Sequence, residues 1–293
     1  MPILDIFLCT LASFLWGINY IAIKIGVAAF SPIFAMFLRF IIVAILLIPW
    51  IKKTPKQHWW PLFKLAFIMG TVYFSFFFMG TAGVTAGEAS IVMQLQVPIA
   101  AMISAFIFKE KLSFKVFTGI TIAMLGVIVT IGTPDHAGSI KPIIYLLLAA
   151  LFWAIGNIYA KRLGKIDPLI MNGVIALFAA PQLLVLSLIM EPNAFHSLWH
   201  SSWQAYASLL YMALISTVVC YSIWFRMLQK HAVSKVMPFG LLVPIVAVIS
   251  ADYLTGDAIT LHVFVGCTLC VAGLALVLIK RRSGLQNLAP EES

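Results

Sequence analysis

Charge is what this chain has least of. Asp, Glu, Lys and Arg together make up 10% of its 293 residues, against 62% apolar. So few charges cannot cover the surface of a soluble domain of this length. Acids are scarcer still, 10 against 19 Lys and Arg. There is no His-Glu-x-x-His, no Gly-x-Ser-x-Gly and no pair of aspartates inside an apolar run. Those gaps remove the usual constellations of a membrane-embedded enzyme. Only four cysteines occur, Cys9, Cys220, Cys267 and Cys270, each in an apolar run. Cys267 and Cys270 have a metal-like spacing but no polar partner beside them, so they read as helix packing. The six histidines fall mostly in loops or at run ends, and none is assigned a metal. No cofactor is expected. The N-terminus has neither a basic n-region nor a small-residue cleavage site, so its first apolar run reads as a retained helix.

What the chain does have is long apolar runs. A helix needs about 20 apolar residues to cross a bilayer, and ten runs approach that: 4–27, 32–51, 62–83, 87–108, 114–132, 142–161, 168–190, 204–228, 232–253 and 259–280. The expected fold is therefore an all-α integral membrane protein of ten transmembrane helices. With that count, 16 of the 19 Lys and Arg fall on one side, together with both termini. The asymmetry puts the termini in the cytoplasm. It also accounts for the net charge of +9 without nucleic acid. Lys24 and Lys141 fall on the other side, and Arg39 lies inside a span.

The chain repeats itself. Trp16 and Asn19 precede Lys24 as Trp153 and Asn157 precede Lys161, each Trp eight residues before its Lys. Pro98 is followed by Gly119 and Gly126, and Pro244 by Gly266 and Gly273. Five spans per half is an odd number, so the second half enters from the opposite side. Inverted repeats of this kind enclose a central cavity in many transporters. The expected domains are a first repeat over 1–133, a second over 142–280, and a polar cytoplasmic tail over 281–293.

Several motifs resemble, in order, the EamA branch of the drug/metabolite transporter superfamily. They are Trp16-Gly-x-Asn19 with Lys24, Leu38-Arg39-Phe40, Ala89 to Gln96 followed by Pro98, and the Lys109-Glu110-Lys111-Leu112 turn. The resemblance spans about residues 5–280. Gln94 and Gln96, Trp153-x-x-x-Asn157, Tyr221 to Trp224 and Pro238 to Pro244 are most similar to that branch's exporters of O-acetylserine and cysteine. One departure is Asp257 after Gly256, where the family pattern has a Gly-Glu pair. The resemblance implies a bacterial inner-membrane transporter that exports small metabolites by alternating access, with a small-molecule substrate and the lipid bilayer as partners. A homodimer stays open.

The candidate cavity residues are Trp16, Asn19, Tyr73, Gln94, Trp153, Asn157, Tyr221 and Trp224. Each Trp–Asn pair shares a helix face by its spacing. An aromatic surface plus an amide suits a small zwitterion; the plainer reading is packing and helix-to-helix hydrogen bonds. Ser90, Gln94 and Pro98 form one stripe, from which Gln96 points away. Candidate gating or structural residues are Lys24, Arg39, Glu88, Pro98 and Pro244. A charge inside a span marks a function by default, and Arg39 is either a carboxylate ligand or a tie to helix-end carbonyls or Glu88. The resemblance favours the second role. Lys24 either pairs with Glu88 or snorkels to the interface. Pro98 and Pro244 would kink paired helices. A carrier of drugs, sugar nucleotides or phosphorylated sugars is the alternative, although the latter ligands want several inward cations. Facilitated efflux, exchange and proton antiport all stay open.

Overall fold

The computed structural model describes residues 1–108, 114–131, 140–164, 166–231, 236–256 and 259–279. The Lys109 to Leu112 turn, Asp257 and the 281–293 tail lie outside the described residues. Among the described residues there is no strand. Of their main helices, α1 (Ile3–Phe30), α2 (Pro32–Leu46, with a further turn Ile48–Ile51), α3 (Lys56–Ala82), α4 (Ala86–Met93, then Gln96–Phe108) and α5 (Phe114–Ile131) make up the first half. The second half contains α6 (Lys141–Arg162), α7 (Pro168–Met190), α8 (Trp203–Lys230), α9 (Met237–Leu241, then Leu242–Thr255) and α10 (Leu261–Ile279). Five of them are long and apolar enough to cross a membrane, and shorter apolar helices accompany them. The protein is thus a multi-pass helical membrane protein. Helix is the form that satisfies every backbone N–H and C=O within its own segment, as a medium without water demands.

Helix ends are closed by specific side chains. Thr85 and Glu88 form a reciprocal capping box at the start of α4. Asp167 caps α7 by accepting from the Leu169 N–H at 2.8 Å, with Pro168 in the first turn. Only Ser31 separates α1 from α2, at a φ of 63°. The N–H groups of Ile33 and Phe34, which have no acceptor within α2, donate to the Glu191 carboxylate at 3.0 and 2.9 Å. Glu191 follows α7, so it fastens α2 to α7 as well as capping α2.

The main helix contacts are α1 with α8 and α9, α6 with α3 and α4, α7 with α2 and α3, α4 with α9, and α5 with α10. The core between them includes fully buried Phe30, Phe34, Met36, Phe40 and Phe78. The α5–α10 contact is backbone against backbone. A Cβ on Gly119 would lie 2.6 Å from the Gly273 carbonyl oxygen, and one on Gly126 would lie 2.7 Å from that of Gly266. Such approach requires glycine and is how helices associate where no hydrophobic force drives them together. Cys270, buried in the same contact, sits with its sulfur 3.8 Å from the Ile91 carbonyl oxygen.

At one end of the bundle, buried Asp5 of α1 accepts from the Lys230 ammonium at 2.8–3.0 Å and lies 2.6 Å from His231 Nε2. At the other end Lys24 donates to the carbonyls of Val84 at 2.7 Å and of Thr81 and Ala82 at 3.4 Å. These two groups mark the ends, called below the Asp5 end and the Lys24 end.

The glycine contact gives a direct expectation. Gly126→Val should lower unfolding stability in detergent by about 1–3 kcal/mol, the usual cost of overpacking. Gly240→Ala should cost far less, because its added Cβ would meet only Trp224, at 3.9 Å. Thermal or denaturant unfolding of the two variants checks the contrast.

Candidate functional site

Helices α4 and α9 are both interrupted, and each interruption has a proline behind it. Pro98 has no N–H to give the Gln94 carbonyl four residues back, and α4 breaks at Gln94 and Leu95. Pro244 likewise frees the Gly240 carbonyl, and α9 opens with a tight 3₁₀ turn over Met237–Leu241. The Gln94 side-chain amide donates to that freed Gly240 carbonyl at 3.1 Å. A carbonyl that Pro244 deprives of its usual donor thus accepts from a side chain of the other broken helix as well as from the Leu242 N–H.

Beside this crossing lies a cavity of about 160 Å³. Trp16, Asn19, Tyr73, Gln94, Trp153, Asn157, Tyr221 and Trp224 all line it, and so does Arg39. The aromatics are interlocked. Trp16 packs on Tyr221 and Trp224 with ring centroids 5.1 and 5.2 Å apart, and Trp153 on Tyr73 at 4.9 Å. Tyr73 stacks on Phe77 at 5.6 Å and 10°. The Trp16 indole N–H donates to the Ser216 carbonyl at 3.2 Å.

Two wide π-helical segments carry part of this wall. Ala66–Tyr73 in α3 ends on Tyr73, and Tyr211–Cys220 in α8 runs directly into Tyr221. Wide turns of this kind occur frequently at functional sites. The segment in α8 ties itself to α1 through the Tyr211 hydroxyl, which donates to the Leu15 carbonyl at 2.8 Å. The segment in α3 reaches α7 through Thr71, whose hydroxyl donates to Gln182 Oε1 at 2.7 Å.

The polar atoms of the wall are unequal in their commitments. Asn157 Nδ2 donates to the Trp153 carbonyl of its own helix at 2.8 Å. Asn19 Oδ1 is buried and has no protein partner. Arg39 is 1% exposed, its Nε donates to the Thr217 hydroxyl at 2.8 Å, and its guanidinium lies over the Phe74 ring, 4.9 Å from the centroid. Its Nη1 has no protein partner. Stranding a buried donor of this kind is costly. None of the residues lining the cavity is acidic.

Two expectations need adjustment. Gln96 does not point away from the stripe, because the break at Gln94–Leu95 re-aims the residues that follow and brings Gln96 onto the wall. Arg39 is held by Thr217 rather than by helix-end carbonyls or Glu88. Glu88 and Lys24 do occupy one corner, on either side of the turn between α3 and α4. Thr217, Ser216 and Tyr20 were not singled out from the sequence. Thr217 stands four residues before Tyr221, so extending that stripe by one turn would have reached it.

A second hollow, of about 340 Å³, lies at the Lys24 end between Thr85, Glu88, Val248, Ala251 and His262. Buried Ala89 to Val92 of α4 and Ala247 of α9 lie between the two hollows. Gly17 of α1 abuts Val246 so tightly that an added Cβ would lie 2.5 Å from its side chain. The first cavity lies on the Asp5 side of the second hollow.

A helical membrane protein with a polar and aromatic cavity at the crossing of two broken helices has the build of a small-molecule carrier. The model of the EamA-like transporter family matches residues 3–132 and again 140–279, so the chain belongs to that family. It is 34% identical over 276 residues to an Escherichia coli K12 protein named "Probable amino-acid metabolite efflux pump", covering 91% of this chain and 92% of that one. A Salmonella typhimurium protein of the same name is 34% identical over 279 residues, 92% and 93% of the two chains. An "Uncharacterized transporter" of Archaeoglobus fulgidus is 28% identical over 271 residues, 91% and 95%. A crystal structure 18% identical in sequence shares the fold, with a TM-score of 0.66 over 95% of this chain and 98% of the other.

The bond at the crossing can be tested alone. Gln94→Leu keeps the side-chain volume but leaves the Gly240 carbonyl with only the Leu242 N–H, and should cost about 0.5–1.5 kcal/mol of unfolding stability. Denaturant titration in micelles measures it; an unchanged midpoint would mean that the bond does not hold the crossing.

Proposed function

We propose that this protein exports small zwitterions, amino acids or derivatives resembling O-acetylserine and cysteine, across the bacterial inner membrane. The observation that carries the reading is the pairing, in one aromatic-lined cavity, of an unpartnered guanidinium donor on Arg39 with an unpartnered acceptor on Asn19. A ligand carboxylate satisfies the first, forming a charge-assisted bond. A ligand ammonium satisfies the second and is further stabilised by the faces of the surrounding rings. With no acid in the wall, Arg39 gives the site a positive charge, which disfavours cationic drugs. One guanidinium is too little for a sugar nucleotide. A volume of about 160 Å³ is close to the roughly 150 Å³ that accommodates benzene-sized guests. The names of the Escherichia coli and Salmonella relatives support the same ligand class.

In this reading all ten helices cross the membrane, and the halves are inverted repeats related by a two-fold axis in the membrane plane. Support comes from the double match of the family model and from contacts that pair under exchange of the halves. Gln94 and Gly240 differ by 146 residues, the same offset that relates Pro98 to Pro244. They would be equivalent positions touching each other, as happens on the axis. The positive-inside asymmetry then makes the Asp5 end cytoplasmic. The cavity then lies on the cytoplasmic side of the second hollow, with Lys24 and Glu88 at the outer end. Alternating access would open the cavity to each side in turn, with Pro98 and Pro244 as the flexing points, and the ligand would drive exchange only through contacts that differ between states.

Bacteria expressing the chain should release one or more of O-acetylserine, cysteine and other amino acids faster than controls. At equal membrane abundance, Arg39→Gln and Asn19→Ala should each reduce that release by roughly tenfold, the cost of a bond to a charged group. Asn157→Ala should do less, because its amide is already spent on its own helix. Unchanged release across the panel, or release indifferent to Arg39, would remove the zwitterion reading.

A further inference from the structure

We infer that Thr217 is the positioning residue of the ligand site: it fixes the Arg39 guanidinium so that its outer end faces the cavity. This inference rests on the reading of Arg39 as the carboxylate ligand.

A hydroxyl has one proton. Thr217 gives its own to the Met212 carbonyl, five residues back along the π-helical segment, at 2.9 Å. With the proton committed, the oxygen can meet Arg39 Nε only as an acceptor, and it does so at 2.8 Å. A planar guanidinium is located by one in-plane bond and one face contact. Thr217 supplies the first and the Phe74 ring the second. Nη1 is then left without a protein partner. Because Nε is occupied, a carboxylate can meet the group only from its Nη1 and Nη2 end. Left without that bond, so long a side chain would populate several rotamers, and ordering it would cost entropy at each binding event.

The wide turn over Tyr211–Cys220 thereby acquires a chemical purpose. It carries the acceptor for Arg39 at Thr217, the acceptor for Trp16 at the Ser216 carbonyl, and the tether to α1 at Tyr211. The ring wall and the charge of the site are therefore registered to each other by one stretch of α8. Thr217 is itself buried and does not line the cavity, so its influence on a ligand runs through Arg39.

The test uses the full-length protein in liposomes. The probe is whichever of cysteine, O-acetylserine and the apolar amino acids is carried fastest, together with its own methyl ester. Thr217→Val should raise KM for the free acid roughly tenfold, as the loss of a bond to a charged group would, and leave KM for the ester nearly unchanged. Thr217→Ser, which restores the hydroxyl, should bring KM for the acid back to within about twofold. In an Arg39→Gln background Thr217→Val should add nothing, since coupled residues are not additive. A merely structural role predicts instead that both compounds lose rate alike and that the effects of the two substitutions add, which would overturn the inference. If Arg39→Gln alone leaves KM for the acid unchanged, the carboxylate reading fails first and the role of Thr217 falls with it. If Arg39→Gln raises KM but Thr217→Val does not, only the positioning role is lost. The KM ratio of acid to ester does not depend on how much protein inserts, so lower abundance of a variant does not blur the result.

Discussion

The hydrogen bond from the Gln94 amide to the Gly240 carbonyl joins two helices that would otherwise be in conflict with their surroundings. Proline in each helix leaves a backbone carbonyl without its usual donor, and in an apolar medium such a group must find a partner or destabilise the fold. The Gln94 carbonyl takes the Val97 N–H at 3.1 Å, and the Gly240 carbonyl takes the Leu242 N–H and, from the opposite helix, the Gln94 amide. The two interruptions can therefore persist side by side, and the chain can hold a cavity where continuous helices would have packed solid. The re-aimed Gln96, Val97 and Leu241 on the wall follow from the same breaks.

Around that opening the structure spends its polar groups sparingly. Arg39 is buried deep in the bundle with one hydroxyl and one ring face for company. A guanidinium tolerates such a site better than an ammonium, since it is more weakly hydrated and disperses its charge over a plane. The wide turns of α3 and α8 place Tyr73 and Tyr221 on the same cavity wall and give the walls their aromatic character. At the two ends, charges hold helix termini: Asp5 with Lys230 and His231 at one, Lys24 on the carbonyls of the α3–α4 turn at the other. Between the ends the helices meet through small residues, with backbone close against backbone at Gly119 and Gly273 and at Gly126 and Gly266.

Much of this was legible in the sequence, for identifiable reasons. Run length and apolarity revealed the helices, because a chain with 10% charge has few other ways to satisfy its backbone. Trp and Asn at spacings of three and four put Trp16 with Asn19 and Trp153 with Asn157 on shared faces, and all four line one cavity. Where the reading stopped is equally specific. Gln96 was turned away by assuming an unbroken helix, although Pro98 already marked the place where the periodicity had to slip. Thr217 and Glu191 were passed over because their importance lies in partners 178 and 158 residues distant. Periodicity within one helix says nothing of such partners. The π-helical segments have no sequence signature of their own, since an extra residue per turn is accommodated only by the packing around it.

The account turns on a free carboxylate being recognised by a guanidinium held ready for it. Calorimetry on the purified protein tests this without any assumption about direction or energy source. Three compounds would be compared: the best-exported amino acid, its methyl ester, and the amine formally lacking the carboxylate. The account predicts heat of binding for the amino acid and affinity at least about tenfold weaker for the other two, consistent with losing one charge-assisted bond. Equal affinity for all three would contradict it and return Arg39 to a purely structural place in the bundle.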